Sequence, residues 1–251
     1  MQKKDNKIVL YCYQWKDSYV ELADYVNCIA LPYTVLLQAE REGKSAFHFL
    51  KSEGVELSGI LPAISMGWHD KKIREAFSSE EIHPLIDSLY IGNPGQLSMV
   101  EGFQGKRYGD YGLNIFNAST AQLFLEKGLE RIMVSYELEE WNLPDIEEEK
   151  IEKFVFGRVP VMVSEYCVLA GGMGVEKKYC GLCEKEKRQY RLIGRYEKDY
   201  PVMLDPMVCR SIILSSNVLN HTRDGVHEGD YLRICIFDES KDRIKELIKF
   251  L

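Results

Sequence analysis

The run Lys153-Phe154-Val155-Phe156-Gly157-Arg158-Val159-Pro160 lies between an acidic stretch and a segment rich in glycine and cysteine, and reads as a short buried strand that stops at Gly157. Outward from it, similar β-rich runs recur at Lys7–Tyr13, Cys28–Pro32, Ile60–Ser65, Ser88–Gly92, Tyr108–Ile115, Arg131–Ser135 and Tyr231–Phe237, which makes eight strands with Lys153–Phe156. Helical patterns fall between them. Strands alternating with helices in a chain of this length predict an α/β fold, a (βα)8 TIM-type barrel. Among the helices, Ala118–Lys127 places Leu123 and Phe124 on one face, and Asp242–Leu251 carries Ile244, Leu247, Ile248 and Leu251 at i, i+3, i+4 and i+7 behind a cap at Ser240. The acidic stretch Glu139–Lys153 reads as a loop and a solvated helix.

The alternation breaks once, from about Val168 to Thr222, where AGGMG, a CxxC, the β-like run QYRLIGRYE and DPMVC follow one another. The domain reading is one barrel over residues 1–251 with a cysteine-rich insertion, 168–222, before the last strand. An insertion there leaves from the carboxyl end of the seventh strand, the catalytic face of such barrels, so its cysteines are expected to cap the barrel mouth.

Four of the seven cysteines belong to this region: Cys167, Cys180, Cys183 and Cys209, spaced C-x12-C-x2-C-x25-C. Thiolates so arranged around the turn at Gly181 suit a soft metal ion, zinc among them, or an iron–sulfur cluster. AGGMG, with no helix pattern after it, reads as a flexible link between ligands rather than a phosphate cradle. Cys12, Cys28 and Cys235 sit in apolar runs (VLYCY, VNCIA, RICIF) and are read as small hydrophobes. An odd cysteine count, the charged start MQKKDNK and the lack of an apolar run of bilayer length predict a cytoplasmic protein without a membrane span.

Polar residues gather at the proposed strand ends: Asn93, Asn114, Asn117, Glu137 and Arg158. Asparagine offers donor and acceptor together, arginine a planar fork, and glutamate can accept or move protons. Together they predict a pocket for a small anionic, oxygen-rich substrate or donor, with Arg158 and Glu137 as the catalytic candidates and Asn93, Asn114, Asn117 and Arg158 as the binding set. As competing readings, Asn93 before Pro94-Gly95 is an ordinary turn residue and Asn117 before Ala118-Ser119 an ordinary helix cap. The five histidines show no metal spacing, and none accompanies a serine in a nucleophile-elbow setting. The formal charge of −7 argues against wholesale nucleic-acid binding, yet residues 176–198 hold eight Lys/Arg against four Asp/Glu with Tyr179, Tyr190 and Tyr196 interleaved. That segment is the candidate RNA-contacting surface; its alternative reading is a solvated hairpin around a metal knuckle.

These residues carry a resemblance. Glu152-Lys153-Phe154-Val155-Phe156-Gly157 fits E-x-F-x-x-G; it continues through Arg158-Val159-Pro160-Val161-Met162-Val163-Ser164-Glu165-Tyr166-Cys167 to the CxxC and to Asp205-Pro206-Met207-Val208-Cys209-Arg210. Upstream lie Gly92-Asn93-Pro94-Gly95-Gln96-Leu97, Asp110-Tyr111-Gly112-Leu113-Asn114-Ile115-Phe116-Asn117 and Ser135-Tyr136-Glu137-Leu138. In this order the motifs resemble peptidase family U32, the collagenase-like peptidases, and in particular its iron–sulfur branch, because G-R-x-P-x-M-x-S-x-Y intervenes before Cys167. The resemblance implies a barrel with a 4Fe-4S cluster on the four cysteines and oxygen-independent hydroxylation of RNA or a small aromatic, with prephenate as oxygen donor. It also implies a likeness to the carboxyl-terminal module of longer members, hence a companion module or related subunit. Two other functions stay open: a collagenase-like peptidase or other hydrolase, and a metal-stabilised binding module without activity.

Overall fold

A computed structural model describes residues 6–65, 67–77, 83–138, 143, 145–175, 182–185, 190–205, 210–222 and 226–251. The strands are β1 (Lys7–Cys12), β2 (Cys28–Pro32), β3 (Glu56–Ile60), β4 (Ser88–Ile91), β5 (Lys106–Gly109), β6 (Arg131–Met133), β7 (Ile151–Gly157), β8 (Pro160–Ser164), β9 (Tyr190–Ile193), β10 (Asp199–Asp205), β11 (Arg210–Leu214), β12 (Leu219–Asn220) and β13 (Tyr231–Ile236). Between them run α1 (Tyr33–Glu42), α2 (Ser45–Ser52), α3 (Trp68–Phe77), α4 (Gln96–Met99), α5 (Ala118–Glu126), α6 (Val168–Gly172) and α7 (Leu182–Lys185), and α8 (Lys241–Phe250) follows β13.

The chain forms two compact units, Arg158–Leu219 and the remainder. In the larger, β1 to β6 pair in parallel in sequence order, β6 pairs β7, and β13 fits in parallel between β7 and β1, closing an eight-stranded barrel. The expected fold class is observed. The smaller unit is an antiparallel sheet in the order β8-β11-β10-β9. It follows β7 directly in the chain, and its compact boundaries are 158 and 219, where the sequence pattern suggests 168 and 222. The first three residues of AGGMG belong to a short helix, Val168–Gly172, directly behind Cys167.

Period-2 alternation sorts the barrel side chains. Ile8, Leu10, Ile29, Leu31, Leu57, Leu89, Ile91, Ile132, Val155, Leu232 and Ile234 face outward and join one apolar core with Leu36, Phe47, Ile73, Phe124, Ile244 and Leu247 of the helices. That core explains why helices cover the barrel, since a parallel sheet needs apolar cover on its outer face. Ser240 caps the last helix as expected, its Oγ accepting from Arg243 N at 3.2 Å. In α5 the structure corrects the expected face: Phe124 is buried with Ala121, whereas Leu123 is half exposed.

Two strands are displaced from their expected spans. β3 is Glu56–Ile60, not Ile60–Ser65, because Glu56 and Ser58 lie on the polar inner face while Leu57 packs outward. β5 is Lys106–Gly109, not Tyr108–Ile115; after it the Asp110 side chain accepts from Tyr111 N at 2.9 Å and starts a 3-10 turn that ends in left-handed Asn114 (φ 51°). Ile115 then rejoins through one parallel bridge to Val134. Of the acidic stretch, 139–142 and 144 lie outside the described residues, and Glu148–Lys150 forms a 3-10 turn.

β7 ends where the backbone demands glycine. Gly157 has φ 130°, and a Cβ there would sit 2.2 Å from the Cys235 carbonyl oxygen on the neighbouring strand. Gly157→Ala is expected to destabilise the protein by about 1–3 kcal/mol through this backbone clash, measured as a lower urea midpoint with an unchanged slope.

Candidate functional site

The inner face of the barrel is charged. Arg233, at the middle of β13, is fully buried and donates through Nε to Glu152 of β7 and through Nη1 to Asp110, just past β5. Arg131 of β6 donates through Nε to the other Glu152 oxygen at 2.9 Å and through Nη2 to the Tyr90 hydroxyl at 3.2 Å. Tyr90 in turn donates to Glu152 at 2.6 Å, and the Tyr11 hydroxyl to Asp110 at 2.8 Å. Tyrosine rings wall the guanidinium groups: Arg131 lies 3.9 Å from the ring centres of both Tyr108 and Tyr231, and Arg233 lies 4.4 Å from Tyr11 and 4.7 Å from Tyr90.

Two guanidinium groups thus face two carboxylates out of water, an arrangement that holds only when charges and hydrogen bonds match closely. Burial alone would push the Glu152 carboxyl up, but Arg233, Arg131 and the bond from Tyr90 outweigh it and hold the group below its ordinary range. Elsewhere on the inner face, Ser88 Oγ bonds Glu56 at 2.6 Å and Ser58 at 2.9 Å; on the opposite face of β7, the side that Val155 shares, buried Lys153 pairs with buried Asp230 at 2.9 Å.

Aromatic groups crowd the carboxyl end. Tyr111 stacks on Tyr136 with ring centres 5.4 Å apart, Tyr136 meets Phe154 edge-on at 5.0 Å, and Phe154 meets His221 at 6.3 Å. Tyr13 joins the set beside Tyr11 at 5.6 Å. Tyr13, Tyr111, Tyr136 and His221 are each partly exposed, above buried Asp110, Arg233 and Cys235. Burial pushes the Cys235 thiol up to about 12, and it pushes the phenols of Tyr13 and Tyr136 up as well. At neutral pH this end of the barrel therefore offers neutral phenols and a neutral thiol around a buried guanidinium, groups able to hydrogen-bond to oxygen.

A family model for peptidase family U32 matches residues 73–224. The chain belongs to peptidase family U32. Among solved structures it is similar to the U32 peptidase Mk0906, at 11% identity over 96% of each chain and a TM-score of 0.49. It is similar too to the Bacillus megaterium QM B1551 spore cortex-lytic enzyme SleL, at 9% identity over 100% of this chain and 75% of that one, with a TM-score of 0.44. No curated protein matches it.

In this U32 chain the expected rim residues divide. Asn114 is exposed and its Oδ1 accepts from Ser135 Oγ at 3.0 Å, while Ser135 Oγ accepts from Glu137 N at 3.4 Å; one serine thus links Asn114 to exposed Glu137. Asn117 caps α5, accepting from Thr120 N at 2.9 Å. Asn93 Nδ2 reaches the Ala63 carbonyl at 3.3 Å and Ser65 Oγ at 3.4 Å, and fully buried Gln96 ties the same turn by accepting from Gly92 N at 2.7 Å and donating to the Pro62 carbonyl at 2.7 Å. Arg158 lies in the smaller unit, where its Nη1 donates to the carbonyls of Ser215 and Ser216, both at 2.6 Å, and closes the end of the β8–β11 pair.

The four late cysteines also divide. Cys180 and Cys209 lie outside the described residues. Cys167, directly before α6, and Cys183, in α7, are both partly exposed in the smaller unit, whereas Cys12, Cys28 and Cys235 are buried in the barrel. No group of three or more metal-ligating side chains is assembled among the described residues. Of the basic segment, 182–185 and 190–198 are described: Arg191 pairs with Asp199, and Leu192, Ile193 and Tyr196 are exposed.

Sequence reasoning missed the barrel's charged interior. The signal available was Glu152, Arg131 and Arg233 at alternate positions of otherwise apolar strands.

With its folded carboxyl held low, Glu152 contributes stability that is complete above the unfolded carboxylate value of about 4.3 and is lost as pH falls through the lower folded value. Glu152→Gln leaves Arg131 and Arg233 short of a counter-charge and is expected to cost about 3–5 kcal/mol at neutral pH. Urea titrations from pH 3 to 7 read both effects: the wild type loses stability towards the acid end, and the variant starts lower and loses less.

Proposed function

We propose that this U32 protein supports an oxygen-independent hydroxylation, in which a 4Fe-4S cluster on Cys167, Cys180, Cys183 and Cys209 serves a barrel that binds a small oxygen-rich donor or substrate of prephenate-like kind. One observation carries the choice over thiol-based peptide cleavage: the barrel's own cysteines are buried, with thiols raised well above the ordinary range, whereas the described members of the late set are partly exposed and outside the core. Ligands must be reachable by the group they bind; inert thiols need not be. The donor set fits a cluster chemically, since thiolates are its usual ligands.

When bound, the cluster would supply or take electrons one at a time. The chain's residues do the rest. The phenols and Arg233 at the barrel's carboxyl end orient the oxygen-bearing ligand, and exposed Glu137, held near Asn114 through Ser135, is placed to carry a proton. RNA is the larger substrate class, with Arg191, Tyr196 and the rest of the basic segment 176–198 as the contact surface.

Anaerobically purified protein is expected to contain iron and acid-labile sulfide, to absorb broadly in the visible, and to lose both on Cys183→Ser. Stoichiometric zinc without iron overturns the cluster. The family's description supports a second reading, proteolysis; robust cleavage of gelatin that Cys167→Ala abolishes would establish it instead.

A further inference from the structure

One donor of the buried network is unspent. Arg233 is 0% exposed, yet its Nη2 has no hydrogen-bond partner, although Nε and Nη1 are bound to Glu152 and Asp110. A buried N–H without an acceptor carries the full cost of desolvation, so such a group in an otherwise well-bonded network marks the place of something that completes it. The location is informative. Nη1 reaches Asp110, just past the carboxyl end of β5, so the guanidinium rises from mid-strand to the barrel's catalytic end, beneath Tyr111 and Tyr136.

We propose that Arg233 Nη2 binds the uncharged carbonyl oxygen of a small, flat, unsaturated ligand seated among the tyrosines at this end of the barrel. Charge decides the class. Arg131 and Arg233 are already balanced by Glu152 and Asp110, all of them buried, so a carboxylate added there would be an uncompensated charge in a region of low dielectric. A carbonyl takes the spare proton without altering the balance. The neighbouring phenols of Tyr111 and Tyr136, kept neutral by burial, add donors and ring surface and no charge. Any acidic groups of the ligand are then left towards the exposed rim. This deepens the reading of the barrel as the ligand-binding unit and does not depend on the cluster: a protein that carries no iron can still pass the test below.

The probes are benzamide and benzoate, which match in shape and differ in charge. Titrated into wild-type protein at pH 7 and followed by ligand-observed NMR, benzamide is expected to bind at least about tenfold more tightly, a difference of ~1.4 kcal/mol. Arg233→Lys, which retains the charge and loses the fork, is expected to abolish the preference. A wild-type crystal soaked in benzamide gives a readout that does not depend on that variant folding: the amide oxygen should lie within hydrogen-bonding distance of Nη2. Benzoate binding as well as benzamide, or a water alone at Nη2 in the soaked crystal, overturns the proposal.

Discussion

The barrel is organised around the contact of Glu152 with two arginines. One carboxylate on β7 receives Arg131 from β6 and Arg233 from β13, so the strands on either side of it are joined by charge as well as by main-chain bonds. Arg233 extends the link across the barrel to Asp110, and Tyr11 and Tyr90 bond to the two carboxylates from β1 and β4. Six of the eight strands, or their immediate ends, thus contribute to one network. Removing an element of it leaves a charge without water, and this makes the closed ring more specific than outward apolar packing alone could.

The same constraint explains what was legible in the sequence. Apart from Arg107 on β5 and Lys153 on β7, the outward faces of the strands are apolar and meet helices, so strand number and order, and hence the fold class, can be read from short apolar runs. The inward face is polar, and that disguised two strands. Glu56 and Ser58 interrupt the apolar pattern of β3, and Lys106 that of β5, so apolar patterning points too far along the chain, to residues that form the rim turns. Apolar patterning reports the outer wall of such a barrel and is silent about a charged interior.

Arg158 and Arg233 show how this affects the site. Each is an arginine in an apolar run, and rarity in such surroundings drew attention to Arg158. Its fork is engaged by the Ser215 and Ser216 carbonyls in the smaller unit. Arg233 occupies an inward register position of a parallel strand, where it meets the inward residues of other strands and of their ends. Composition treats the two alike; strand register separates them. Asn117 and Asn93 likewise have local duties as cap and turn residues, whereas Asn114 and Glu137 meet through Ser135 by a contact between two strand ends that no local pattern encodes.

The E-x-F-x-x-G motif, read in sequence as a signpost towards the cysteines, has its own job within the barrel. Glu152 centres the charge network. Phe154, two residues on and therefore on the same face, lies between Tyr136 and His221 in the aromatic end group. Gly157 permits the close approach of β7 to Cys235, at the point where the chain leaves for the cysteine-bearing unit. Three spaced residues thus fix, in order, the charge, the wall and the exit of one strand. A motif of this form records the needs of the barrel interior, which persist whether the chemistry attached to it is hydrolytic or redox.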